Sequence, residues 1–296
     1  MRQTRIPSWE YWEAIVSMKT VLVPTEKSDM TAATLETALL FARHFESYLE
    51  GFALRAAISD FVAADLIVAD AWAVAETRDA ELAKEARTTF ETFMQARGVP
   101  LHTEGVGGVS YGWTEADAAR DAFVGSYGRV FDIIVFGRPG SYPAGSSMAA
   151  VEAALFESGR PILIAPPEPL KTIGEHVVVA WNRSSETARC LALAMPLLHK
   201  AAKVTVLTVT GGMVAGPDAP DVVRYLARNG IAAESFAFEA SSGTASGEIF
   251  LQKAQEMGCD LLIKGAYTQS RLRQMIFGGA TSHILAKTTM PVFMAH

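Results

Sequence analysis

Cysteine is scarce in this chain. Cys190 and Cys259 are the only two in 296 residues, and no Cys-x-x-Cys occurs. No disulfide framework can be drawn from such a pair, which fits a reducing, cytoplasmic setting. Long apolar runs are missing too. The most apolar stretch, Ala56 to Ala75, is interrupted by Asp60, Asp65 and Asp70, so it cannot cross a bilayer cheaply. The first seventeen residues hold no signal-peptide core, because Trp9, Glu10, Trp12 and Glu13 break any apolar run. The six histidines (His44, His102, His176, His199, His283 and His296) show no metal-ligand spacing with cysteine or acids. No Walker A lysine follows a glycine loop and no Gly-x-Ser-x-Gly elbow occurs. Nothing in the chain reads as a catalytic acid–base pair or an activated nucleophile. A surplus of basic residues is lacking as well: the net charge of -6 argues against general nucleic-acid binding.

What the chain does have is ample core. Half of its residues are apolar and a fifth are charged, the composition of an ordinary globular protein with room for two domains. Strand-like sequence begins only at Lys19-Thr-Val-Leu-Val-Pro24. Residues 1–17 therefore read as an upstream extension before Met18, or as a short amphipathic helix through Trp9, Trp12, Ile15 and Val16.

The chain repeats itself. Lys19-Thr-Val-Leu-Val-Pro-Thr-Glu-Lys-Ser28 matches Glu175-His-Val-Val-Val-Ala-Trp-Asn-Arg-Ser184. Phe131-Asp-Ile-Ile-Val-Phe-Gly137 matches Cys259-Asp-Leu-Leu-Ile-Lys-Gly265, and Gly159-Arg-Pro-Ile-Leu-Ile-Ala165 matches Thr289-Met-Pro-Val-Phe-Met-Ala295. Three landmarks in one order define two copies of a unit, 18–168 and 174–296, joined near Pro166-Pro-Glu-Pro169.

Within each unit, continuous apolar strands alternate with amphipathic helices. The expected class is α/β: in each copy a five-stranded parallel sheet with helices on both faces. The second copy reads as strands 176–181, 203–209, 231–238, 259–264 and 291–295, with helices 185–200, 218–229, 244–257 and 279–288. The first copy carries extra length around residues 57–78, expected to be helical, either as a lid or as packing surface.

In such a sheet a ligand sits at the carboxyl ends of the strands, beside the switch in strand order. In the second copy the loops expected there offer Trp181-Asn182-Arg183-Ser184, Thr208-Val-Thr-Gly-Gly212, and Gly265 to Thr281. Asn182 can bond a ribose or base edge, or cap the following helix, for which Ser184 is an equal candidate. Trp181 can stack on a base or fill the core. His283 can face a phosphate or lie on a helix surface. From Leu261 to His296 there is no Asp or Glu, while Lys264, Arg271, Arg273 and Lys287 are all basic. An acid-free glycine loop between strand and helix suits a phosphate-bearing ligand or a solvated basic face.

Strand, polar turn and helix at the start, then a strand ending in Gly with a second glycine pair and a closing Pro-Val strand, resemble the universal stress protein family. The duplication is similar to its tandem two-domain members and covers residues 18–296. The resemblance implies the Rossmann-like, adenine nucleotide α-hydrolase-like fold. It also implies, in one branch, an ATP site built on Gly-x2-Gly-x9-Gly-Ser/Thr with an acidic residue after the first strand. Laid on the second copy, that motif falls on Gly265, Thr268, Gly278 and Gly279, with Thr281 two residues on, Asn182 at the acidic position, and Arg271 and Arg273 as added cations. Thr268 and Gly279 depart from the pattern. In the first copy Gly137-Arg-Pro-Gly140 and Glu26 match, but Gly145-Ser146 arrives five residues early, and counting back from Pro161 the closing pair falls on Met148-Ala149. The first copy is therefore not expected to bind ATP in the family's manner.

The resemblance implies a stress-response binding or regulatory protein. It is expected to act through protein partners, with neither nucleic acid nor membrane among them, and its two units are expected to form an internal pseudo-dimer joined at the closing strands, with a further homodimer left open. ATP, with Mg2+ only alongside it, is the implied ligand. The competing readings are a scaffold with vestigial pockets, and an adenine-nucleotide hydrolase on the same fold.

Overall fold

The computed structural model describes residues 17–55, 69–116, 120–140, 146–210, 213–239, 246–266 and 280–296, with the side chains of 69–75 excepted. The chain before Ser17 and the segment 56–68, which holds much of the expected helical insertion, lie outside the described residues.

Ten strands form one continuous sheet. They are β1 (Thr20–Thr25), β2 (Tyr48–Ala53), β3 (Ser110–Trp113), β4 (Ile133–Gly137), β5 (Ile162–Ala165), β6 (His176–Ala180), β7 (Lys203–Val209), β8 (Glu234–Phe238), β9 (Leu261–Gly265) and β10 (Val292–Ala295). Their order is β3-β2-β1-β4-β5-β10-β9-β6-β7-β8. Strands within each half run parallel, and the halves meet where β5 and β10 pair antiparallel, with Leu163 opposite Phe293. The two five-stranded sheets expected from the repeats are thus fused edge to edge. Joining two edges leaves fewer unpaired backbone groups than two separate sheets would.

The helices are α1 (Thr31–Phe45), α2 (Ala69–Ala96), α3 (Asp121–Tyr127), α4 (Met148–Glu157), α5 (Ser185–Leu193), α6 (Met195–Lys200), α7 (Ala219–Arg228), α8 (Ser246–Glu256) and α9 (Ala280–Lys287). No helix among the described residues is long and apolar enough to cross a membrane. Strands β4, β5, β9 and β10 are buried at every residue, as strands covered on both faces must be. Two separate cores result. One holds Val21, Leu35, Phe41, Phe90, Val177, Cys190, Ile263 and Phe293; the other holds Leu22, Phe52, Phe136, Val178, Leu262, Ile284 and Met294.

The repeated Asp has a visible purpose. Asp132 Oδ2 accepts the N–H groups of Lys19 and Thr20 at 2.7 and 2.9 Å, and Asp260 accepts those of Glu175 and His176 at 3.1 and 2.9 Å. Each acid fixes the start of its unit's first strand. Two expected elements differ. The helix expected over 185–200 divides at Ala194, because Pro196 has no N–H to continue the ladder. The strand expected from 231 begins at Glu234: Ile231 is still tied to α7, its N–H donating to Leu226 O at 3.0 Å.

Candidate functional site

In each half the strand order reverses beside the first strand: β1 lies between β2 and β4, and β6 between β7 and β9. The carboxyl ends of these strands form the crevices where such sheets take ligands. The two crevices are furnished very differently.

In the first half a side chain of the protein itself occupies the helix start at the crevice. Ser147 caps α4, its Oγ accepting the Ala150 N–H at 3.3 Å. The Ser147 N–H, a free donor at a helix start, donates to Glu26 Oε1 at 3.1 Å. The Ser147 hydroxyl donates to Asp121 Oδ1 at 3.2 Å. Burial pushes the Glu26 carboxyl above its ordinary 4.5, against the pull of the hydrogen bonds from Ser147 and Ser146, and Asp121 adds to the rise. The turn after β4 closes on itself, with Ser146 N–H donating to Arg138 O at 3.3 Å and Gly140 N–H to Ser146 O at 3.2 Å. Pro24, Glu26, Thr31, Thr34 and Ser146 line a small, partly open pocket at this point. Arg138 turns away and donates to Thr288 O in the other half at 3.1 Å. Met148 and Ala149, where the motif's closing pair would fall, are already inside α4.

The second half presents the opposite charge. Lys264, the fourth residue of β9, is 5 % exposed. Its Nζ donates to Gly265 O at 2.8 Å and to the Thr281 hydroxyl at 3.1 Å, in the first turn of α9. No described carboxylate forms an ion pair with it. Burial pulls the ammonium down to about 8, opposed by Cys190 and by Glu186. That fall from the ordinary 10.5 is worth ~3 kcal/mol against the charged form. Cys190 does not neutralise it, because full burial holds its thiol protonated up to about 12. The equivalent position in the first half is Phe136, an apolar ring 1 % exposed.

Gly265 follows, and the reason for glycine is steric. A Cβ there would sit 2.4 Å from Thr187 N and 2.6 Å from Glu186 C, in the backbone of α5's first turn. Ser184 is the N-cap of α5, and Asn182 braces the turn before it. Asn182 Oδ1 accepts from Ser184 N–H at 3.2 Å and from the Thr187 hydroxyl at 2.6 Å, and Ser184 Oγ accepts the Thr187 N–H at 3.2 Å. Trp181 is core, 4 % exposed, with its Nε1–H donating to Pro217 O at 2.9 Å. Arg183 stands in the left-handed region at φ 69° and pairs with Asp218. At the end of β7, Thr208 is buried with a hydroxyl that finds no partner among the described residues.

Of the residues expected from the sequence, Asn182, Gly265 and Thr281 converge on this crevice. Thr268, Arg271, Gly278 and Gly279 lie outside the described residues, as do Arg273 and the glycines at 211–212. Lys264 was visible in the sequence only as part of the basic segment. Its signal was a cation inside a run of apolar residues where the first repeat has phenylalanine. His283 is half-buried on α9, and Glu248 and Glu256 are exposed on α8. Among the described residues no three His, Cys, Asp or Glu side chains gather as metal ligands.

Comparison with known proteins places the architecture. No protein-family model matches the sequence, and no curated protein does. Solved structures do. A universal stress protein from Archaeoglobus fulgidus superposes with a TM-score of 0.67 at 15% identity, over 95% of this chain and 97% of that one. A protein of unknown function from Pseudomonas aeruginosa PAO1 follows at a TM-score of 0.53 and 12% identity, over 96% and 94%. Identities this low speak for the backbone alone, and the matched backbone spans both units. The chain has the fold of a two-unit universal stress protein.

Proposed function

We propose that this is a stress-response binding protein that takes an ATP-type nucleotide in its second unit and acts through protein partners in the cytoplasm. The observation that carries this reading is Lys264: a buried ammonium with no described carboxylate partner, at the end of the strand beside the switch in strand order. A cation held there is a standing demand for an anion. Gly265 and Thr281 flank it, and the motif spacing adds Thr268, Arg271, Gly278 and Gly279 as the phosphate loop, with Asn182 toward the nucleoside. Mg2+ would enter only with the nucleotide. The first unit is proposed as structural, since Glu26 already satisfies the helix N-terminus that a phosphate would use.

A scaffold with vestigial pockets is the second reading. It is favoured by Asn182, whose side-chain oxygen already accepts two hydrogen bonds at the start of α5.

Calorimetric titration of ATP, with and without Mg2+, separates the two. Micromolar binding that is lost in Gly278→Val supports the nucleotide site, because a side chain there blocks approach to the loop's N–H groups. No heat at millimolar ATP supports the scaffold. Analysis of the phosphate products in the same samples tests for hydrolysis.

A further inference from the structure

Lys264 occupies a position where the fold itself asks for an apolar side chain. The matching residue of the other unit is Phe136, and every other residue of β9 before Gly265 is apolar and fully buried. Exchanging such a ring for an ammonium gains nothing in packing and adds a desolvation cost. Its two acceptors among the described residues are uncharged, a backbone carbonyl and the Thr281 hydroxyl. The charge is therefore oriented but not neutralised. Both acceptors lie at the carboxyl end of β9, against the first turn of α9.

We propose that Lys264, with Thr281, is the phosphate-recognition centre of the second unit, and that its ammonium moves from the Gly265 carbonyl to an oxygen of the ligand's phosphate chain. This rests on the nucleotide reading above and deepens it: the site selects for polyphosphate charge, and a nucleoside alone does not satisfy it.

Proton linkage follows from the same geometry. From α5, Glu186 and Cys190 act on the ammonium; Glu248 of α8 makes no ion pair with it; α9 brings Thr281, His283 and Lys287 to that side of the sheet. The adjoining β10 and the inner residues of β6 are uncharged. An arriving phosphate is then the strongest negative charge near Nζ, and it raises the lysine's proton affinity. Above pH 8 the neutral amine takes one proton from solvent as the ligand binds; well below pH 8 it already holds that proton and no uptake occurs.

The test is titration of wild type and Lys264→Met with ATP, adenosine and tripolyphosphate, at pH 6.5 and 8.5, in buffers of differing ionisation heat. Methionine is apolar and of similar length, so thermal unfolding of the variant verifies that it folds. The expected result is ATP binding with on the order of half a proton taken up at pH 8.5 and no uptake at pH 6.5, where the ligand's terminal phosphate, with a second pKa of about 6, can only release protons on meeting a cation. Lys264→Met should weaken ATP about 10- to 100-fold, the usual range for losing a charge-assisted hydrogen bond, and remove the proton uptake. Equal ATP binding by the folded variant, or adenosine binding as tight as ATP, would overturn the role of Lys264 and leave the nucleotide reading standing. Heat with tripolyphosphate but not ATP would overturn the nucleotide reading and retain Lys264 as an anion site. No heat with either would overturn both.

Discussion

The two halves of this molecule share strand order, closing strands and the Asp that anchors each first strand, yet their crevices carry opposite charge. In the first half a carboxylate, Glu26, reaches back to the N–H of Ser147 at the start of α4. In the second the corresponding residue after the first strand is Asn182, which is uncharged and spends its oxygen on α5. One strand away, a phenylalanine in the first half becomes Lys264 in the second. The lesson concerns what a duplicated fold conserves. Strand pairing and anchoring are dictated by the backbone and remain alike. The polar residues at the strand ends are free to diverge, and here one end supplies its own anion while the other holds a cation with no ion-pair partner among the described residues.

The strongest way to break this comparison is at the glycine ending each fourth strand. In Gly265→Ala the new methyl meets the backbone of Glu186 and Thr187, which cannot rotate aside. A loss of about 3 kcal/mol or more is expected. In Gly137→Ala the obstacles are the Thr34 hydroxyl at 2.7 Å and the Ser146 hydroxyl at 3.1 Å. Side-chain oxygens can turn, so a loss nearer ~1 kcal/mol is expected. Urea denaturation of both variants checks the ranking; equal losses would mean that the α5 backbone yields as easily as a side chain.

Next in size is the unliganded Lys264→Met. The buried lysine titrates at about 8 in the folded chain, below its ordinary 10.5. Below pH 8 both folded and unfolded chains carry the proton, and the folded state bears the full cost of the buried charge. Between pH 8 and 10.5 the unfolded chain binds more protons, so wild-type stability rises with pH across that window. The methionine variant should therefore exceed wild type by up to ~3 kcal/mol at pH 7, with the gap closing toward pH 10.5. A gap independent of pH would assign the gain to packing instead of charge.

Much of this was legible beforehand, and the limits are physical. The repeats were readable because the Asp anchors, glycines and closing prolines recur with nearly constant spacing. The pairing of Pro161–Ala165 with Pro291–Ala295 could be inferred only through family resemblance, since no local periodicity reports which edges join. The break at Pro196 carried its own signal, a proline within a helical pattern, whereas the late start of β8 did not, because Ile231 is apolar whether it belongs to a strand or to the turn after a helix. At the site, Gly265 stood in the sequence as the first glycine of a phosphate-binding pattern, and the structure adds that a side chain there would strike α5. Asn182 was open between ligand and cap, and a hydrogen-bond pattern cannot be read from a residue name. Burial of Lys264 was concealed for a similar reason: basic residues nearby made it look like one of a solvated set.

Smaller effects sharpen the comparison from the carboxylate side. Glu26 is held above its ordinary value chiefly by burial, so its ionised form weakens the folded state once the pH rises past that raised value. Glu26→Gln keeps an oxygen for the Ser147 N–H and removes the charge. It should stabilise the protein at pH 7 by less than Lys264→Met does, and not at all at pH 4, where the wild-type carboxyl is also neutral. Thermal unfolding at the two pH values reads this directly, and a gain of equal size at pH 4 would contradict it.

The smallest expected effect is at Asn182, where the second half can be given the acid that the first half has. Both bonds at Oδ1 are accepted, from Ser184 N–H and from the Thr187 hydroxyl, and a carboxylate oxygen accepts them as well as an amide oxygen does. A negative charge before the first turn of α5 also lies at the favourable end of the helix dipole. Asn182→Asp should therefore leave stability within ~0.5 kcal/mol of wild type, whereas Asn182→Ala, which removes the acceptor, should cost about 1 kcal/mol. If the aspartate variant unfolds as readily as the alanine variant, the turn depends on the amide nitrogen and not on the oxygen that braces the start of α5. The change of Glu26 into Asn182 between the two halves would then reflect that nitrogen's contacts, and not a helix start indifferent to charge.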